Sequence, residues 1–111
     1  MTMELDKEKI LKELGFEDSF IKELFDLYLK DAAETIGKLE AAIAAGDIEA
    51  VKSLGHSLKG SSGNLRITEV QQKALAVEME AKGAKDSQVL LRLLGELKFQ
   101  QQELEKIVAG W

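Results

Sequence analysis

The chain contains no proline in 111 residues, and its apolar residues recur at spacings of three and four between junctions marked by glycine. Proline is the residue that most reliably breaks a helix, so nothing in the chain forbids helices from one end to the other. β-Branched residues are sparse, whereas Ala, Leu, Glu, Lys and Gln dominate, which favours an all-α chain. Gly15, Gly46 and Gly83 each close a periodic run, and each is followed by a carboxylate able to cap the next helix: Asp18, Asp47 and Asp86. Gly37 and Gly95 lie inside runs that continue past them, so they read as interior glycines.

The spacing predicts five helices. The first, about residues 4 to 14, is short and presents Leu5, Ile10, Leu11 and Leu14, a pattern suited to lying across a bundle as a lid. The second, about 19 to 45, carries Ile21, Phe25, Tyr28, Ala32, Ile36, Leu39 and Ile43 on one seam. The third starts after Asp47 and puts Ile48, Val51, Leu54, Leu58 and Leu65 on one side. In the fourth, Ile67, Val70, Ala74, Val77 and Ala81 repeat the spacing, Thr68 and Gln71 fit a capping box, and the small residues at 74 and 81 imply close approach. The last, about 87 to 109, carries Leu90, Leu93, Leu94, Leu97, Leu104 and Val108, and Gln101 on that seam needs a bundle end or a partner. Four long helices with short connections imply an up-down-up-down four-helix bundle with a short extra N-terminal helix, a single domain over residues 1–111.

Twenty acidic residues against 15 basic ones give a net charge of −5, which argues against nucleic-acid binding and against anionic membrane surfaces. With no cysteine and one histidine, a zinc site has too few nitrogen or sulfur ligands, and no metal site is expected. The first eight residues lack the apolar core of a signal peptide and no run approaches a membrane span, so a cytoplasmic setting is expected. Gln100 to Lys106 reads as a solvated helix face, and Trp111 as a partly ordered tail.

The one histidine, His56, falls about 150° from the centre of the third helix's apolar stripe if each residue turns the helix by about 100°. Lys52, Lys59, Gly60 and Gly63 share its side of the projection, making a basic surface on an acidic domain. Gly55, Gly60 and Gly63 pose a problem, because each interior glycine costs about 1 kcal/mol relative to alanine and net stability is only about 5 to 15 kcal/mol. Either Lys59 to Asn64 is a loop between two shorter helices, or the glycines clear an approach to the imidazole for another protein or a phosphoryl group. Histidine is nucleophilic in its neutral form, and a lysine one turn away can balance an incoming negative charge. Ser57, Ser61 and Ser62 read as helix-face or packing residues, since a serine nucleophile needs a dedicated base.

The run His56-Ser57-Leu58-Lys59-Gly60-Ser61-Ser62, followed by Asn64-Leu65, resembles the signature of the histidine-containing phosphotransfer (HPt) domain family. The stretch from Phe20 to Ile43, closing with Ala45-Gly46-Asp47, is similar to the family's preceding helix, and Met79-Glu80 falls where the family usually has a Leu-Glu pair. The resemblance implies a bundle whose exposed His56 relays a phosphoryl group between aspartates of receiver domains through Nε2. It implies that Lys59 steadies the phosphoryl charge, that Gly60 keeps the approach open, and that Gly63 does so one turn on. The expected partners are a response-regulator receiver domain, a hybrid sensor histidine kinase, or both, with the chain itself a monomer. Lys59-Gly60-Ser61-Ser62 is not a P-loop, so ATP binding is not expected. Glu49, the nearest carboxylate on the same helical face, lies about two turns from His56, so no cofactor is expected on this chain and the receiver is expected to supply magnesium. The chain departs from the family pattern at Arg66, commonly glycine or another small residue, and at Gly55, commonly alanine. Arg66 could alter partner contacts, and Lys52 could extend the basic surface, although a plain solvated lysine is the stronger reading of that residue. Phe16 and Phe20 suit either an apolar docking patch or a cap on the core. The competing reading is a helical module that binds a receiver or kinase without taking phosphate.

Overall fold

The computed structural model describes residues 5–111. Five helices follow in order, α1 (Lys7–Leu14), α2 (Asp18–Ala45), α3 (Ile48–Asn64), α4 (Thr68–Lys82) and α5 (Ser87–Ala109), with no strand among the described residues. The predicted start of the first helix at residue 4 lies outside them. The molecule is 42 Å long, the length that 28 residues of α2 span at about 1.5 Å each.

Local chemistry sets most boundaries. Asp6, Asp47 and Asp86 accept hydrogen bonds from backbone N–H groups at the starts of α1, α3 and α5. Gly15 and Gly46 end α1 and α2 with φ of 72° and 70°, a left-handed conformation that glycine adopts without steric penalty. Asp18 is not a cap: Glu17 precedes the first turn of α2 without a side-chain bond, and Asp18 pairs with Lys7 at 3.1 Å. At the α4–α5 junction the left-handed residue is Lys85, at φ 56°, rather than Gly83. The Thr68–Gln71 capping box does not form, because Ile67 occupies the cap position and α4 starts at Thr68 itself.

Helix α2 packs against α3 and α5, and α4 against the same two, closing a ring of four antiparallel helices. The seams meet inside that ring: Ile21, Phe25, Leu39, Val51, Leu58, Ile67, Val77, Leu90, Leu97 and Leu104 are essentially inaccessible to solvent. Ile48 and Leu54 are only partly buried against this core. Gln101 is buried on the seam of α5, where its amide Nε2 donates to the Leu29 carbonyl at 2.9 Å. Helix α1 buries Ile10 and rests Leu11 and Leu14 on the core, as does Leu5 just ahead of it. It is fastened by Lys7 to Asp18 and by Glu13 to Arg66 of the α3–α4 turn. Trp111 is not a loose tail: its ring meets Phe25 edge to face at 5.0 Å, and Lys7 Nζ lies 5.5 Å from its centroid. No described helix is long and apolar enough to cross a membrane.

Candidate functional site

Helix α3 runs unbroken from Ile48 to Asn64, so the glycine- and serine-rich stretch after Lys59 is helix and not loop. Tertiary contacts on its inner side override the turn propensity of those residues. Leu58 is buried in the core, and the inaccessible Ser62 hydroxyl is 2.7 Å from the Tyr28 hydroxyl of α2. That burial pushes the Tyr28 phenol up to about 12, against the opposing effect of the Ser62 bond.

The glycines have three different jobs. A Cβ on Gly55 would meet the Glu78 backbone nitrogen at 3.2 Å and the Ala74 carbonyl at 3.3 Å, so this residue lets the backbones of α3 and α4 approach closely. A Cβ on Gly63 would lie 2.5 Å from the side-chain nitrogen of Gln71; Gly63 makes room for α4 and does not hold an approach open. Only Gly60 faces empty space, with nothing within 4 Å of where its Cβ would be.

The close seating at Gly55 brings Glu78 of α4 beneath His56. The Glu78 side chain is 4 % exposed and the imidazole 69 %. Glu78 Oε2 lies 2.9 Å from His56 Nδ1, and Oε1 accepts from Lys59 Nζ at 2.7 Å. A third cation, Lys82 Nζ, is 3.4 Å from Oε2. A carboxylate this buried would ordinarily resist ionisation. Here the Lys59 hydrogen bond, with help from His56 and Lys82, outweighs burial and holds the Glu78 carboxyl at about 2. Being ionised, it can only accept, so Nδ1 carries the proton of the neutral ring and Nε2 keeps its lone pair on the exposed edge.

The arrangement thus couples an outward-facing imidazole nitrogen to a buried anion shared with two lysines. The structure puts His56 and Lys59 on one carboxylate, with Gly60 following on the same helix, and adds Glu78 and Lys82, which the sequence reading did not name. The signal for Glu78 was present: it lies four residues after Ala74 and three before Ala81, a carboxylate on an otherwise apolar seam, which demands a partner. Lys52 is not part of the cluster and pairs with Glu49 at 3.0 Å. Arg66 sits in the α3–α4 turn at φ 62°, a conformation that favours glycine, and is held by Glu13 at 3.2 Å and by the Gly63 carbonyl at 3.1 Å. Phe16 and Phe20 do not cap the core; both are exposed and, with Leu24 and Leu27, line an open apolar groove on α2. Among the described residues no group of three or more His, Cys, Asp or Glu side chains is placed to hold a metal ion.

Comparison with known proteins adds sequence to geometry. The family model described as the Hpt domain matches residues 23–109, which takes in most of α2 and all of α3, α4 and α5. The multistep phosphorelay regulator 1 of Schizosaccharomyces pombe is 39 % identical over 56 residues, covering 50 % of this chain and 19 % of that protein. The chain therefore spans about a fifth of the relative it matches. No solved structure gives a match. With the motif in a helical bundle and the family model covering most of it, the chain belongs to the Hpt domain family, the histidine phosphotransfer domains of two-component phosphorelays.

Proposed function

We propose that His56 is the phosphoacceptor and that it carries the group on Nε2, between receiver-domain aspartates. The observation that carries this reading is the ring's two unlike nitrogens: Nδ1 is bonded to Glu78 at 2.9 Å, while Nε2 has no protein partner among the described residues, on a side chain that is 69 % exposed as a whole. In a loose phosphoryl-transfer transition state, charge spreads over three oxygens, so placement and nearby cations do most of the work. Lys59 spends one of its three donors on Glu78 and keeps the others for the phosphoryl oxygens. Gly60 leaves the surface beside the imidazole bare for a partner.

The partners of this proposal are a receiver domain, a hybrid sensor kinase, or both, with the chain acting as a cytoplasmic monomer that engages neither nucleic acid nor membrane. The likeness to a multistep phosphorelay regulator of Schizosaccharomyces pombe supports that class of partner. In this scheme the receiver supplies the attacking or leaving carboxylate together with a magnesium ion, whose charge offsets that of the phosphoryl group. This chain presents the nucleophile and the lysine.

The test is to mix the chain with a phosphorylated receiver and magnesium and to look for acid-labile, alkali-stable phosphate on it. Label on the native chain and none on His56→Gln is expected. Equal labelling of the variant would overturn the assignment of His56, and binding without label would favour an interaction module that takes no phosphate.

A further inference from the structure

We infer that the outer face of α2 and α5, on the far side of the bundle from His56, is a self-complementary surface on which a second copy of this chain docks back to back. Phosphate transfer as proposed above takes one copy at a time, so the pairing goes beyond that reading and does not depend on it.

The observation behind it is a pair of glycines that the fold itself does not need. Gly37 of α2 and Gly95 of α5 lie inside unbroken helices, where glycine is less favourable than alanine. Gly55 and Gly63 are explained by close contacts with α4, but nothing lies within 4 Å of a Cβ added at Gly37 or Gly95. Each belongs to a stripe of exposed residues. On α2 the stripe is Ala33, Gly37, Ala41 and Ala44; on α5 it is Leu91, Gly95, Phe99 and Gln102. Steps of three and four keep each stripe on one side of its helix. Ala33 and Gln102 line the same groove of about 270 Å³ between the two helices, so the stripes adjoin.

Gln101 points to an occupant independently. It lines that groove and is 7 % exposed, yet its Oε1 has no hydrogen-bond partner among the described residues, although Nε2 donates to the Leu29 carbonyl. A buried acceptor without a donor is costly, and a donor from a docked helix would satisfy it.

The shape and charge of the face select a second copy. Leu91 and Phe99, 48 % and 49 % exposed, project from the face on which Gly37 and Gly95 leave the backbone bare. In a two-fold contact each copy offers both features, so the aromatic ring of one enters the hollow of the other, twice over. Like also meets like across the axis, which penalises a face of one sign. Here Lys22 pairs with Asp26, Arg92 with Glu96 and Lys98 with Glu40. Lys30, Glu34 and Glu105, which make no ion pair among the described residues, are of both signs. The opposite face gathers Lys59 and Lys82 around His56 and would repel its own copy. The bundle is 42 Å long and 23 Å across, which leaves room for the roughly 800 Å² per partner of a standard interface. Extent does not fix affinity, and with two large apolar side chains per copy the pairing is weak, so the dilute chain is a monomer. Because α3 and α4 form the side of the ring opposite α2 and α5, both His56 rings stay uncovered in the pair.

Sedimentation of the intact chain over a concentration series is the test. The average mass is expected to rise from 12.3 kDa toward twice that value as concentration approaches about 1 mM. Phe99→Ala is expected to weaken pairing by about tenfold or more. Gly37→Ala and Gly95→Ala are expected to weaken it too, while raising the urea midpoint of the monomer, because alanine is the better helix former. A residue that served only the fold would not move the two readouts in opposite directions. A native chain that stays at 12.3 kDa throughout, or pairing that all three variants leave untouched, would overturn the inference. Phosphate uptake from a phosphorylated receiver is expected at the native rate in Phe99→Ala; its loss would assign the α5 face to the relay contact and equally overturn the pairing. Absence of label on His56 of the native chain would instead strike the proposed function and leave the pairing standing.

Discussion

Two buried groups tie side-chain ionisation to the fold, and they act at opposite ends of the pH scale. Glu78 is held at about 2 against its ordinary 4.5, so the native state favours its charged form. The resulting stabilisation is present above pH 4.5 and is lost as pH falls toward 2. A Glu78→Gln variant should therefore show a flatter loss of stability than the native chain between those limits, measured by urea unfolding at successive pH values. Tyr28 is pushed up from 10 to about 12, so the native state favours the neutral phenol. Its contribution is complete below pH 10 and disappears as pH rises toward 12. Tyr28→Phe should remove that alkaline slope. At neutral pH it should cost about 1 kcal/mol through the lost bond to Ser62, read from the urea midpoint.

At the scale of elements, the site depends on how closely α3 and α4 pack. Gly55 seats the two backbones tightly, since a Cβ there would press on the Glu78 nitrogen and the Ala74 carbonyl, and Glu78 reaches His56 across that contact. Gly55→Val should destabilise the bundle by about 1 to 3 kcal/mol, as overpacking does. It should also slow phosphate uptake by His56 more than a destabilisation of that size explains, measured with a phosphorylated receiver under conditions where the variant remains folded. The helices themselves were legible in the sequence because a three-four spacing that buries one face is written directly in residue order; the stripes of α2, α4 and α5 are buried as predicted. Less was legible where a residue's meaning depends on the neighbouring helix. Glycine, serine and asparagine after Lys59 favour turns locally, and only Tyr28 and the core around Leu58 decide for helix. Gly63 looks free on a single-helix projection, yet Gln71 fills the space above it. Arg66 departs from the family's small residue in a left-handed turn, and its bonds to Glu13 and the Gly63 carbonyl offset the strain of that conformation.

At the scale of the whole molecule, the relay surface and the seal of the core are separate. His56 and its cluster occupy the outer faces of α3 and α4, whereas α1, the α3–α4 turn and Trp111 close one end of the bundle. A lone tryptophan after a helix carries no periodicity, which is why its packing on Phe25 could not be read from sequence. Trp111→Ala should lower stability by about 1 to 2 kcal/mol through the lost aromatic contact and exposed area. It should leave the rate of phosphate uptake unchanged, both measured on the same preparation. The central claim, that the bundle presents Nε2 of His56 because Glu78 occupies Nδ1, is tested most directly by the 31P–15N coupling in the phosphorylated, 15N-labelled chain. Coupling of phosphorus to Nε2, with the proton retained on Nδ1, is the predicted result; coupling to Nδ1, or to any residue other than His56, would contradict it.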